Sequence, residues 1–139
     1  MQDTNTILRS YLLTQTALTN LIGVGVNARI YCPRVPDVGV LPCISLFRRG
    51  GKVYPAAPNM QEVSFQIDCW ANDSSFADQI CGAVEDSLNC KNNIVVIVNS
   101  NTYYISDIIE ETLPQSLQDI DIPTRFRTLT FFRVLIQNH

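Results

Sequence analysis

The chain has 139 residues, of which 46% are hydrophobic and 17% charged, and this size and composition predict one globular domain that buries its own core. They exclude a disordered or fibrous protein, because no segment is biased enough in composition to leave the chain without a core. The formal net charge of −3 argues against wholesale nucleic-acid binding, which normally requires a surplus of basic residues.

The N-terminal segment predicts one helix followed by a shorter one. The apolar residues of positions 4–15 fall on a single helical stripe, at Ile7, Leu8, Tyr11 and Leu12. Asp3 or Thr4 is a suitable N-cap, because a short side-chain oxygen can accept hydrogen bonds from free backbone N–H groups. The pattern continues through residues 17–22 as a helical turn or short helix and stops at Gly23.

The next part of the chain predicts strands. Residues 29–32 and 43–47 are short strand candidates, and residues 60–71 form a clear strand in which apolar and polar side chains alternate. Residues 48–59 contain two glycines, two prolines and two alanines. This composition predicts an exposed loop or a long hairpin arm.

A second main helix follows these strands. Asp73 or Ser74 is a suitable cap, and the apolar residues recur every four positions as far as Leu88. Gly82 lies inside this helix, where glycine costs up to ~1 kcal/mol relative to alanine. We therefore expect Gly82 to allow close packing on the sheet.

The last third of the chain predicts three strands. Residues 94–98 and 103–109 indicate a hairpin, residues 110–122 an acidic connection, and residues 125–137 a long closing strand. The whole order predicts an α+β fold: an antiparallel or mixed sheet with two main helices packed on one face, plus a protruding loop or hairpin arm. We expect a single domain over residues 1–139.

No catalytic arrangement can be assembled from these residues. Residues 23–28 match the pattern GxGxxA, but a helix precedes them and a strand follows, which reverses the order that binds a dinucleotide phosphate. A turn is the better interpretation. The single histidine, His139, is the last residue, so Ser–His and Cys–His arrangements are excluded. The sequence predicts that the chain is not an enzyme.

The cysteines indicate neither a disulfide framework nor a metal site. There are five, at Cys32, Cys43, Cys69, Cys81 and Cys90. An odd number without a CxxC spacing predicts free, largely buried thiols in a reducing compartment. The spacings match no zinc pattern, so no cofactor is predicted. The polar N-terminus and short apolar runs predict neither a signal peptide nor a membrane span.

Two charged features are candidate contact surfaces. The first lies in the segment after the second strand, at Arg48, Arg49, Lys52, Val53 and Tyr54. Arg and Tyr are favoured anchors of protein interfaces. The segment is therefore either a protein–protein contact arm or a solvated connection, with phosphate binding as a weaker third interpretation.

The second feature is the change from the acidic segment 107–121 to the basic closing strand, which carries Arg125, Arg127 and Arg133 on one face. These opposite charges either pair within the chain or form the two complementary faces of a head-to-tail contact between subunits.

The order of elements resembles the tail terminator, or tail completion, proteins of long-tailed bacteriophages. The resemblance covers nearly the whole chain and rests on six segments in the same order: LRSYLL at 8–13, ALTNLIG at 17–23, ARIY at 28–31, LPCISL at 41–46, FQIDCWA at 65–71 and RTLTFFRV at 127–134. None of these segments is a catalytic signature. The resemblance therefore implies a structural protein of the virion.

This family resemblance implies a specific role. Such proteins form a hexameric ring on the head-proximal end of the tail tube, stop its polymerisation and present the surface on which the head connector or stopper docks. DNA passes through the ring without sequence-specific binding. The implied partners are further copies of the chain, the tail tube protein and the connector, with no cofactor or membrane. Assembly would occur in the host cytoplasm, and the location would be the tail–neck junction.

Two alternatives remain at this point. One is another ring-forming neck protein that joins head and tail. The other is a small soluble ligand-binding domain with a pocket between sheet and helices, which would contain convergent polar groups.

Overall fold

The structure, a computed structural model, describes residues 3–23, 28–32, 41–57, 59–118 and 125–138. These ranges contain three helices, α1 (Thr4–Leu12), α2 (Thr16–Ile22) and α3 (Ser74–Leu88). They also contain seven strands: β1 (Ile30–Tyr31), β2 (Cys43–Val53), β3 (Met60–Ala71), β4 (Asn92–Val98), β5 (Asn101–Glu110), β6 (Gln115–Gln118) and β7 (Phe126–Asn138).

The strands form one mixed sheet in the order β1-β2-β3-β7-β5-β4, with β6 paired to the first part of β7. The β1–β2 pair is parallel and all the other pairs are antiparallel. The predicted α+β class with an antiparallel or mixed sheet is thereby confirmed. The closing strand of the sequence, β7, lies in the middle of this sheet between β3 and β5.

The helix ends follow the sequence signals. The Asp3 side chain accepts a hydrogen bond from the Asn5 backbone N–H at 3.2 Å, and Asp73 accepts one from Ser75 at 3.2 Å. Both aspartates therefore act as the predicted N-caps. Gly23 ends α2 with a φ of 106°, a conformation that glycine adopts without steric cost. Of the GxGxxA match, residues 24–27 lie outside the described residues.

The core lies between the helices and one face of the sheet. The central strands contribute Phe65 and Phe132, which face each other in the β3–β7 register and are both fully buried. Helices α1 and α3 cover them with fully buried residues that include Leu8, Leu12, Ile80 and Leu88. Tyr11 joins the two helices, since its hydroxyl donates to the Ser87 carbonyl oxygen at 2.7 Å.

Two parts of the sheet differ from the sequence prediction. Strand β2 continues past residue 47 to Val53, and Lys52 pairs with Glu62 beyond a bulge between Arg48 and Gly51. The segment that carries the predicted arm is therefore largely a paired strand, which favours the hairpin interpretation over a loop. In addition, the predicted acidic connection contains β6.

The bulge and the helix give two glycines opposite roles. A Cβ at Gly51 would lie 1.9 Å from the Glu62 carbonyl oxygen, and its φ is +148°, whereas a Cβ at Gly82 would meet nothing within 4 Å. The expectation that Gly82 permits close packing was therefore wrong. We expect Gly51→Ala to lower the free energy of unfolding by about 1–3 kcal/mol, and Gly82→Ala to raise it by about 0.5–1 kcal/mol. Urea unfolding of both variants measures this, and equal effects would contradict it.

The cysteines are all free, as predicted. Cys43, Cys69 and Cys81 are buried, whereas Cys32 and Cys90 are exposed. The prediction that the thiols are largely buried is thus correct for three of the five.

A carboxylate pair between α3 and β5 makes stability depend on pH. Burial, followed by a hydrogen bond and the charge of Glu85, raises the pKa of Glu110 from 4.5 to about 7. The folded protein therefore holds a proton that the unfolded chain releases, so stability falls as the pH rises from about 4.5 to about 7. We expect Glu110→Gln to reduce this fall, as measured by urea midpoints across that range. Asp86→Asn, at an exposed site on the same helix, is the control and should leave the fall unchanged.

Candidate subunit and partner interface

The candidate site is the face of the sheet opposite the helices. In the β3–β7 register, Trp70 lies opposite Arg127, Gln66 opposite Phe131, and Ser64 opposite Arg133. Side chains alternate between the two faces of a strand, so these residues share the face that the core does not use. We call this surface, formed by residues 64, 66, 68 and 70 of β3 and 127, 129, 131 and 133 of β7, the open face.

Arginine guanidinium groups lie over aromatic rings at one end of the open face. The Cζ atoms of Arg125 and Arg127 are 5.5 Å and 5.2 Å from the ring centroid of Trp70. Arg49 of β2 adopts the same arrangement, with Cζ 5.0 Å from the ring centroid of Phe131. Cation–π contacts hold the guanidinium groups in place, and the N–H groups that do not face Asp68 can donate to an acidic partner.

A single buried carboxylate lies beneath these arginines. Asp68 is 4% exposed, and its Oδ2 lies 3.6 Å from Arg127 Nη1. Burial raises the pKa of Asp68, although a hydrogen bond from Gln66 and the positive charges of Arg127 and Arg49 act against the rise. Asp68 thus interacts with Arg49 and Arg127, and with Arg125 nearby the described residues at this end of the open face carry a positive surplus.

The other end of the open face is an ion-paired network with one guanidinium and two carboxylates. Arg133 Nε lies 3.0 Å from Glu62 Oε1 and 3.9 Å from Glu111 Oε1. Tyr54 donates its hydroxyl hydrogen to Glu62 Oε2 at 2.7 Å, and Ser64 donates to Glu111 at 2.9 Å. The hydrogen bond to Glu62 raises the pKa of Tyr54. This network connects the hairpin of β2 and β3 to the centre of the sheet.

The structure distributes the predicted residues over two clusters. Arg125 and Arg127 belong to the tryptophan cluster, whereas Arg133 and Tyr54 belong to the carboxylate network. Arg48, Lys52 and Val53 are exposed on β2, and neither cation there forms an ion pair with another described residue. The predicted arm and the basic strand therefore converge, because Arg49 and Arg127 both act on Asp68.

Charge pairing within the chain, one of the two alternatives for the basic strand, occurs in part. Arg127 and Arg133 have carboxylate partners, but their closest ones, Asp68 and Glu62, lie on β3 rather than in the acidic segment. Sequence reasoning did not assign Asp68, Glu62 or Trp70 to the site, although Asp68 and Trp70 belong to the FQIDCWA segment on which the resemblance rests. Their signal was the polar face of the alternating strand at residues 60–71.

The cavities that described residues line on this sheet are smaller than a small-molecule site. The one between Tyr54, Asp107 and Arg133 measures about 170 Å³ and the one between Ser116 and Arg127 about 230 Å³, below the roughly 300–1,000 Å³ typical of such sites. Within the described ranges, no cluster of three or more His, Cys, Asp or Glu side chains could hold a metal ion. No helix of the described part of the chain is long and apolar enough to cross a membrane.

Comparisons with known proteins give a family and a fold. The sequence model of the family described as tail completion protein gp17 matches residues 6–111. A chain from a structure described as the virion of a native gene transfer agent particle superposes with a TM-score of 0.64 at 14% identity, over 95% of this chain and 92% of that one. A second solved chain has a TM-score of only 0.43 at 10% identity, over 100% and 97% of the two chains. No curated protein matches the sequence.

Proposed function

This chain belongs to the tail completion protein gp17 family, and we propose that it forms a ring on the head-proximal end of the phage tail tube. The ring ends polymerisation of the tube and provides the surface on which the head connector docks. The membership itself makes the chain a structural protein of the phage tail or neck and a component of the virion.

The observation that best supports the proposal is the asymmetry of the sheet. One face is covered by helices over a largely apolar core, whereas the open face carries three arginines on aromatic rings. Aromatic residues and arginine are the residue types enriched in protein interfaces. A rigid surface of this kind, on which the described residues form no cavity of ligand size, is suited to contact with another protein rather than to catalysis.

The two clusters have different parts in the proposal. The hairpin residues Arg48, Arg49, Lys52, Val53 and Tyr54 contact a neighbouring subunit or the tail tube. Arg125 and Arg127 meet an acidic surface of the connector or stopper protein. Arg133 holds the hairpin in place through Glu62, since its charge is already neutralised there.

The remaining features of the role follow from the ring. DNA passes through its channel without sequence-specific contacts, and the ring lies at the tail–neck junction after assembly in the host cytoplasm. The chain acts without a cofactor and is not an enzyme, because its contribution is shape and charge. A ring of six copies is the state that we propose.

Tube growth tests the proposal directly. Purified tail tube protein is polymerised with and without this chain, and tube lengths and ends are measured by negative-stain electron microscopy. We expect one end of each tube to carry a ring and further growth from that end to stop. Tubes that keep growing from both ends would overturn the terminator role, and rings that bind only the connector would favour another neck protein.

Variants of the hairpin test the assignment of its residues. We expect the combined change Arg48→Ala, Arg49→Ala and Lys52→Ala to weaken capping, measured as the protein concentration that blocks half of the tube ends. Lys91→Ala removes an exposed cation outside the hairpin and is the control. Undiminished capping by the triple variant would remove the hairpin from the proposal.

A further inference from the structure

The β2 and β4 edges of the sheet extend equally far along the strand direction at the end that carries the β2–β3 hairpin. We call the position along the strand direction the height. Across the sheet, Val53 pairs with Gln61, Gln61 with Ile136, Ile136 with Ile105, and Ile105 with Ile94. This row joins β2 at one edge to β4 at the other. Groups at equal heights on opposite edges meet when copies are related by rotation about an axis parallel to the strands.

Strand β4 is an edge strand that lacks the features that usually prevent an edge from pairing with another chain. It ends the strand order of the sheet, and no described strand pairs with its outer side. Residues 94–98 read IVVIV, with no charge and no proline, and the β4–β5 register shows no bulge. Exposed edges usually carry such features because unpaired backbone groups attract other chains. Their absence indicates that another protein segment covers β4 in the assembly.

The side chains of this edge form an apolar patch. Val95 is 57% exposed and Ile97 68% exposed on β4, and Ile109 of the adjacent strand is 50% exposed. Along the strand direction Asp107 lies between Ile109 and the two β4 residues; it pairs with Asn92 in the register and has no ion pair with another described residue. We call Val95, Ile97, Ile109 and Asp107 the β4 patch.

The opposite edge carries complementary groups at the same height. A second row across the sheet runs from Lys52 through Glu62 and Leu135 to Asp107. It therefore places a cation at the β2 edge and an unpaired carboxylate one strand in from the β4 edge. Next to Lys52, Val53 is 73% exposed.

We infer that the β4 edge binds the Lys52–Val53 edge of a second copy of this chain, with the Lys52 ammonium facing Asp107 of its neighbour. The aliphatic stem of Lys52 crosses Asn92, which lies in the same row as Asp107, while its charge reaches the carboxylate. This inference rests on the proposed ring and names its subunit contact. The contact is head-to-tail, because a twofold β4–β4 contact would place Asp107 near its own copy and leave Lys52 unused.

Single-cysteine variants distinguish these geometries. In a background where the exposed Cys32 and Cys90 are serine, Lys52→Cys and Asn92→Cys proteins are prepared separately and treated with a short bismaleimide, because Asn92 lies in the same row as Lys52. We expect a cross-linked dimer only when the two are mixed, and a ladder of higher species from the double variant. Dimers of Asn92→Cys alone would reveal a twofold contact and overturn the inference, as would the absence of any product.

Charge and polarity variants then measure the contact in the free protein. We expect Ile97→Asp to weaken self-association at least roughly tenfold, because an unpaired carboxylate would be buried. Leu113→Asp, at a site 83% exposed far along the sheet, is the matched control and should have no effect. Lys52→Asp and Asp107→Lys should each weaken association, and their combination should restore it.

The same variants separate this inference from the proposed function. If the wild type and every variant self-associate equally well, the β4 contact is overturned, whereas the proposed ring is not affected. Protein that stays monomeric alone but caps tubes would also overturn the contact while supporting the terminator role. Protein that neither associates nor caps tubes would overturn both.

Discussion

Replacing Phe132 with alanine should lower the free energy of unfolding by about 3–5 kcal/mol, the range observed when a buried phenylalanine is truncated. Phe132 lies on the central strand β7, is fully buried, and faces the equally buried Phe65 on β3. Helix α3 packs against both strands. The surroundings are held on every side by regular structure, so they cannot collapse to fill the cavity, and the upper part of the range is expected.

The adjacent residue provides a matched control. Phe131 points to the open face, is only half-buried, and contacts Arg49 through its ring. We expect Phe131→Ala to cost less than about 1.5 kcal/mol, most of it lost cation–π and surface packing. Urea unfolding followed by circular dichroism measures both variants. Equal losses would mean that the open face is packed as tightly as the core.

The sequence predicted the two faces of the sheet because alternation is a local property. At residues 60–71 every second side chain is apolar, and the same holds for much of the closing strand, so the arginines of β7 had to share one side. The structure confirms this division for Arg127 and Arg133. The helix caps at Asp3 and Asp73 were equally local, since each depends only on the following two residues.

Strand neighbours could not be predicted in this way. Strand β7 is last in the sequence but lies between β3 and β5, and no local pattern specifies such an insertion. The convergence of Arg49 and Arg127 on Asp68 therefore remained hidden, because it joins three strands that are far apart in the chain. The edge position of β4 depends on the same insertion.

Two glycines explain why the sequence analysis predicted a β2 strand that is too short. Gly50 and Gly51 indicate a loop by composition, since glycine is depleted in strands. In the fold they instead form the bulge after Arg48, beyond which pairing resumes as far as Val53. Strand β6 was missed for a different reason: its pattern contains one apolar residue, Leu117, and only pairing with β7 makes it a strand.

Because the core lies on one face of the sheet and the candidate interface on the other, protein stability and partner docking can be changed separately. Replacing Arg125 with glutamate should reduce docking of heads onto terminated tails by roughly 10- to 100-fold, about 1.4–2.8 kcal/mol. Arg125 stacks on Trp70 and has no carboxylate partner among the described residues. The change therefore leaves no described acidic group newly unpaired, and it places a negative charge where the proposed acidic partner surface must approach.

The protein itself should remain folded in this variant, because the loss of one stacked cation costs only about 0.5–1 kcal/mol at a partly exposed site. Docking is measured by mixing tailless heads with tails capped by each variant and counting joined particles by electron microscopy. Lys91→Glu, which reverses an exposed charge outside the open face, is the control and should join normally. Normal joining by Arg125→Glu tails, with capping intact, would show that the tryptophan cluster faces something other than the head. The acidic partner would then have to meet the hairpin cations instead, because Arg48, Arg49 and Lys52 are the other exposed cations on this sheet that form no ion pair with a described residue.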